Sequence, residues 1–199
     1  MMKNLIKKSL ILVAILTTTL TLGKSIEKSV NVKFISAKKI NLSFQNSDGN
    51  LIIYVKDKND VTLYREPYSG EEFSKLYDFE ALSNGSYYIE IEGQTTIKAM
   101  KFEVRSKDIV FEGDFENVCF KPVVRIKDNV IYISKLALAG EVLKIEFYDE
   151  RMILLHEENL KDDTTLVRML DISKLLVGNY TLVLKSDKRV FLETVKKIQ

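Results

Sequence analysis

Cysteine and histidine each occur once in 199 residues, tryptophan is absent, and there are only two prolines and eight glycines. One cysteine excludes an intramolecular disulfide, so any core must hold by packing alone. One histidine cannot supply a His cluster for a transition metal, and no glycine-rich phosphate loop occurs. Past the N-terminus no long stretch keeps a 3.6-residue apolar period, which argues against helices. Hydrophobic residues still make up 46% of the chain. They come in short alternating runs, the pattern of half-buried strands.

Lys3, Lys7 and Lys8 precede an apolar run over residues 10–22 that closes on Thr21-Leu22-Gly23. This is the layout of an export signal, and its roughly 13 apolar residues fall short of the ~20 that span a bilayer. Residues 1–23 are therefore read as a signal peptide cleaved after Gly23, the product being periplasmic or secreted with no stable membrane insertion. Removing them takes away three lysines and no acid, so 30 basic residues against 28 acidic become 27 against 28. Nucleic-acid binding loses its electrostatic support with that change. The late cluster Lys185, Lys188, Arg189, Lys196 and Lys197 reads as a solvated strand face.

A duplication organises the rest. Asp78, Leu82, Gly85, Tyr87, Ile89 and Ile91 recur 93 residues later as Asp171, Leu175, Gly178, Tyr180, Leu182 and Leu184. Asp57, Leu63 and Glu66 meet Asp149, Leu155 and Glu158 at an offset of 92. A period near 90 suits one small domain used twice. The first copy is expected over residues 24–106 and the second over 107–199, with the boundary near 106–115. Strands are expected at 30–34, 39–44, 51–56, 61–65, 74–78, 86–91 and 96–104. Those of the second copy fall at 118–126, 130–136, 142–148, 152–158, 166–171, 179–185 and 189–195. Seven short strands per copy predict an all-β chain of two tandem immunoglobulin-like antiparallel sandwiches.

The repeated box has a mechanical reading. Asp78 or Asp171 ends a strand and forms a turn, and Leu82 or Leu175 plugs one end of the core. Gly85 or Gly178 allows a positive φ, and Tyr87 or Tyr180 sends its hydroxyl back to the corner it has left, as a tyrosine corner does. The box is a folding signature rather than a ligand site.

With this Asp-x-x-x-Leu-x-x-Gly-x-Tyr pattern followed by alternating apolar residues, both copies resemble the small immunoglobulin-like modules of exported Bacteroidetes-type proteins. The second copy, through Leu143-Lys-Ile-Glu-Phe-Tyr-Asp149, the Leu175, Gly178 and Tyr180 box and the basic last strand ending Val195-Lys-Lys-Ile198, is similar to the C-terminal sorting domains of type IX secretion cargo. It lacks an Asn-Pro start and carries Glu150-Arg151 where a glycine is common. The resemblance implies export and a sandwich fold, not an activity.

Candidate chemistry is thin. A nucleophile-base pair would have to be Cys119 with His156, yet the repeat sets His156 opposite Tyr64, a position that wants an aromatic body. Cys119 reads as an inert, partly buried thiol, with an intermolecular disulfide as the alternative. The loop acids of Asp57-Lys-Asn-Asp60 and Asp162-Asp163 lack the spacing of a calcium loop and read as turns. Glu71-Glu72 and Glu157-Glu158 are sequence neighbours that a strand points to opposite faces. No catalytic, cofactor-binding or metal-binding residue is assigned. Aromatic residues crowd the first copy, and Tyr64, Tyr68 and Tyr88 are the candidate contacts for a protein or glycan partner.

The expected function is a non-enzymatic exported interaction or structural protein. The alternatives are secretion cargo whose second domain is a sorting signal, or a carbohydrate- or protein-binding module. By fold analogy alone a two-domain chaperone is a further reading, and Arg125 is the residue that would test it.

Overall fold

The computed structural model describes residues 30–45, 49–113, 115 and 118–198. The expected signal peptide and part of the turn over 46–50 lie outside them. In the first copy β1 (Asn31–Ser36), β2 (Lys39–Gln45) and β5 (Glu72–Asp78) form one antiparallel sheet in the order β1-β2-β5. Facing it, β3 (Leu51–Asp57), β4 (Thr62–Tyr68), β6 (Gly85–Glu92) and β7 (Thr96–Val104) run β4-β3-β6-β7.

The second copy repeats both sheets. Its β10 (Val123–Lys127), β11 (Val130–Leu136) and β14 (Thr165–Asp171) order as β10-β11-β14, against β13-β12-β15-β16 formed by β12 (Leu143–Tyr148), β13 (Leu154–Leu160), β15 (Gly178–Ser186) and β16 (Arg189–Lys197). In each copy strands one, two and five lie in one sheet and strands four, three, six and seven in the other. That is the connectivity of a seven-stranded immunoglobulin-like sandwich, so the expected all-β tandem fold is what the chain adopts.

Strict alternation explains why these segments are strands. Ile40, Leu42 and Phe44 on β2, Leu51, Ile53 and Val55 on β3, and Tyr87, Ile89 and Ile91 on β6 all point inward and are buried. Ile131 and Ile133, Leu143, Ile145 and Phe147, and Tyr180, Leu182 and Leu184 do the same in the second copy. Each such side chain contributes on the order of 1.5–3 kcal/mol by leaving water. Two separate cores result, one per copy.

The segment between the copies differs from a simple linker. After β7 the chain turns at Arg105, whose N–H bonds the Asp108 carbonyl at 2.8 Å. It then runs back along the free edge of β7 as β8 (Ile109–Glu112) and β9 (Val118–Phe120), with Ile109 opposite Val104 and Phe120 opposite Thr96. Phe115, between them, is buried in the first core. The sequence reading starts the second copy at residue 107 and draws one strand over 118–126. In the structure residues 109–112 and 118–120 are hydrogen-bonded into the first sheet, and the strand breaks at Lys121-Pro122, where proline has no N–H to donate.

Candidate functional site

The repeated box builds both corners. The Asp78 carboxylate accepts the Glu80 N–H at 2.9 Å, and Asp171 accepts the Ser173 N–H at 2.8 Å. Tyr87 donates its hydroxyl to the Ser83 carbonyl at 2.9 Å, and Tyr180 to the Leu176 carbonyl at 2.8 Å. Leu82 and Leu175 are partly buried against their own cores. The glycines differ from expectation: Gly85 has a φ of +154°, but Gly178 does not take a positive φ. A Cβ at Gly178 would meet Tyr180 at 3.9 Å, ordinary contact, so that position tolerates a side chain. The upstream turns repeat too, since Asp57 accepts the Asn59 and Val61 amides and Asp149 those of Arg151 and Ile153.

The three candidate tyrosines do not form one surface. Tyr64 is 38% exposed on β4 and donates its hydroxyl to Glu66 at 2.9 Å, while Lys75 on β5 reaches that hydroxyl at 2.6 Å and Glu66 at 2.8 Å. Its ring also meets Tyr77 edge-on, with centroids 5.9 Å apart. Tyr68 packs edge-on against Phe73 at the first core and donates to the Glu72 carbonyl. Tyr88 lies half-buried on β6, between Lys56 and Lys101 of the neighbouring strands.

The Tyr64 cluster is itself duplicated. At the matching positions His156 Nε2 lies 3.1 Å from Glu158, and Arg168 on β14 donates to the same carboxylate at 2.6 Å. In each copy a strand-four carboxylate therefore bonds a strand-five cation and ties one sheet to the other along their open side. Burial opposes ionisation of Glu66 and Glu158. Hydrogen bonds from Lys75 and Tyr64, or from Arg168 and His156, outweigh it and hold both carboxyls below the usual value. The alternation in the sequence gives the face of each residue but not its partner across the gap.

Cys119 and His156 lie in different copies. Cys119 pairs with Ile97 across β9 and β7, is half-buried, and burial pushes its thiol up. Lys135 and Arg189 pull the thiol back down, while Asp187 and Glu141 add to the rise. The adjacent acids also separate: Glu157 bonds Lys144 at 2.8 Å while Glu158 bonds Arg168. Among the described residues no group of three or more His, Cys, Asp or Glu could hold a metal ion.

The joint between copies carries a buried carboxylate that sequence alone does not single out. Glu90, on the outward face of β6, is 6% exposed. It takes Arg189 of the second copy at 2.6 Å and Lys56 at 2.8 Å, and Lys56 also holds Asp60 at 2.9 Å. Burial works against the Glu90 charge, but the bonds from Arg189 and Lys56 prevail and its carboxyl sits below the usual value. Ile97 beside it, 3% exposed, is buried although it belongs to neither core.

Most of the late basic cluster is likewise partnered. Lys185 and Lys144 both bond Glu146, at 2.8 and 2.9 Å, and with Tyr148 they hold its carboxyl down to about 2. Lys197 donates to Asn129 at 2.8 Å. Lys135, buried at the top of the second core, is met by Glu141 at 3.1 Å and by the Leu136 carbonyl. Arg125 stands exposed on β10 opposite Tyr132. Among the described residues no helix is long and apolar enough to cross a membrane.

No family profile matches the chain, and no characterised protein matches it significantly. Among solved structures it is similar to the BSP domain of a biofilm-associated protein, at 13% identity and a TM-score of 0.29 over 85% of this chain and 29% of that one. A two-domain fibronectin type III segment of chicken tenascin matches at 12% identity and a TM-score of 0.29, over 85% of this chain and 98% of that one. Three fibronectin domains of chicken CNTN1 match at 11% identity and 0.28, over 85% and 66%. The chain thus spans under a third of the biofilm protein. Similarity at this level assigns it no activity, ligand or partner.

Proposed function

We propose that the chain is an exported, non-enzymatic interaction or structural protein whose two immunoglobulin-like copies act as one oriented unit. The joint carries this reading. A linker that merely tethers is flexible and polar, whereas here β8 and β9 are bonded along β7 and Arg189 closes on the buried Glu90. Fixing two modules relative to each other serves a protein that presents surfaces to a partner. The buried ionisable groups support the same view, because Glu90, Glu146 and Lys135 are each engaged by protein partners. Export rests on the sequence of residues 1–23, and a sorting role for the second copy rests on its resemblance to secretion modules.

Fractionation of native cells, with intact mass and native size measured in each fraction, tests it. The expected product starts at Lys24, lies outside the cytoplasm and runs in an assembly larger than its own mass. Retention of Met1 in the cytoplasm would refute export, and a monomer in every fraction would refute the interaction role. Loss of residues 107–199, or surface attachment through them, would instead favour the sorting reading.

A further inference from the structure

At one pole of the second copy three turns and the end of the last strand come together. The Ile172 N–H bonds the Asn129 carbonyl at 2.9 Å, Lys197 reaches the Asn129 side chain at 2.8 Å, and Glu150 lies about 4.0 Å from a Cβ built on Gly178. Six aliphatic side chains project there into solvent. Leu176 is 83% exposed, Ile198 71%, Val177 68%, Met152 60%, Ile153 51% and Ile126 45%. At the matching positions the first copy has Ser83, Arg105, Asn84, Asp60, Val61 and Ile35. Four of the six are polar, so the sandwich does not itself need an apolar pole.

Backbone strain marks the same place. Among the described residues the non-glycine positions with positive φ are Asp60, Asp128, Asn129, Asp162, Asp187 and Met152. Asp and Asn tolerate this region because their side chains bond the local backbone; an apolar L-residue there carries a steric cost. Met152, at φ 60°, bears that cost with its side chain in water rather than in a core. The turn itself requires the positive φ, as Asp60 shows at the matching position, so it is the apolar side chain that brings the fold no gain and points to a use outside it.

Charge and composition select the occupant. Ile126 and Ile198 flank a shallow cleft of about 280 Å³ that Lys127 and Lys196 also line. Arg151 and Lys174 stand on the two other turns, where the first copy has Asn59 and Ala81; Lys127 and Lys196 replace Ser36 and Glu103. The opposing acids are Asp128, 4.0 Å from Lys127, Glu150, and Asp149, which bonds backbone amides through one oxygen and Arg151 at 3.5 Å through the other, while Asp171 is turned onto a backbone amide. No tryptophan or tyrosine anchors the patch as in a protein hot spot. A second copy meeting it face to face would oppose the same cations.

We propose that this pole docks on an anionic phospholipid surface, the aliphatic tips entering the headgroup boundary and the lysines and arginine meeting lipid phosphates. The proposal names a partner for the interaction role above, yet vesicle binding by purified protein depends on neither export nor native assembly, so the two fail separately.

The test uses the chain from Lys24 onward, which holds every described strand, and sucrose-loaded vesicles of phosphatidylcholine with roughly 30% phosphatidylglycerol. Cosedimentation is expected, weakening at least about tenfold in pure phosphatidylcholine and again near 0.5 M salt, where the Debye length is only a few ångströms. Leu176→Asp with Val177→Asp lowers binding by a similar factor, with an unchanged circular-dichroism melt. Leu63→Asp, at an exposed position of the first copy, leaves binding intact. Wild-type protein that stays in the supernatant, or tip variants that sediment like wild type, would overturn the proposal. Concentration-dependent dimers abolished by the tip variants, without vesicle binding, would overturn it in favour of a contact between copies of the chain.

Discussion

Replacing Glu90 by alanine removes the carboxylate that joins the two copies and leaves Arg189 and Lys56 facing each other. Their side chains are 26% and 12% exposed. Breaking a fully buried ion pair by deleting one partner costs about 3–5 kcal/mol. Arg189 retains some water and Lys56 keeps Asp60, so about 2–3 kcal/mol is expected for this site. A cycle of Glu90→Ala, Arg189→Ala and the double variant isolates the pair itself, with an expected coupling of about 1.5–3 kcal/mol. Because the two cores are separate, the loss appears as decoupling: calorimetry should show one transition in the parent and two in Glu90→Ala. The acid dependence has a definite sign. The folded Glu90 carboxyl titrates below its unfolded value, so its contribution is complete above the unfolded value of about 4.3 and fades as pH falls through the lower, folded one. A coupling energy below about 0.5 kcal/mol, within the error of additivity, would refute the argument that this pair holds the copies together.

Three further outcomes follow from the corners and the joint. Tyr87→Phe and Tyr180→Phe should each cost about 1 kcal/mol in urea unfolding and add in the double variant, since each removes one hydroxyl bond in a different copy. Phe115→Ala, made in the Glu90→Ala background where the copies melt separately, should destabilise the first copy by about 3–5 kcal/mol and leave the second unchanged, and equal losses in both would show that the segment does not belong to the first core. Gly85→Ala should cost about 1–3 kcal/mol while Gly178→Ala is nearly neutral, read from the same denaturation midpoints, because only Gly85 has a positive φ.

The alternating runs and the duplicated box contain most of the architecture, because period-two burial and turn residues are local properties. Strands such as β7 and β11 fall where alternation places them. β8 does not declare itself: four residues, Ile109–Glu112, are too few for a period, and their pairing with β7 depends on a turn at Arg105 that sends the chain backward. Glu90 is a similar case. Alternation puts it on the outward face of β6, but nothing nearby in sequence reveals that Arg189, 99 residues away, will bury it. The tyrosines show the same limit: alternation gives the face of Tyr64 but not that Lys75 and Glu66 engage its hydroxyl.

The return strand has a mechanical side. A load applied between the two copies reaches the first sheet through Lys121, beside Phe120 at the end of β9 that pairs with Thr96. Hydrogen bonds there are met one at a time, starting at Phe120 and moving toward Ile109, so the strand peels rather than shears. Peeling it back to Arg105 would pay out about 17 residues, roughly 55–60 Å of extended chain. The joint that orients the copies at rest is thus also a reel: under tension it lengthens the molecule while drawing Phe115 and Ile109 out of the first core, with the second core untouched.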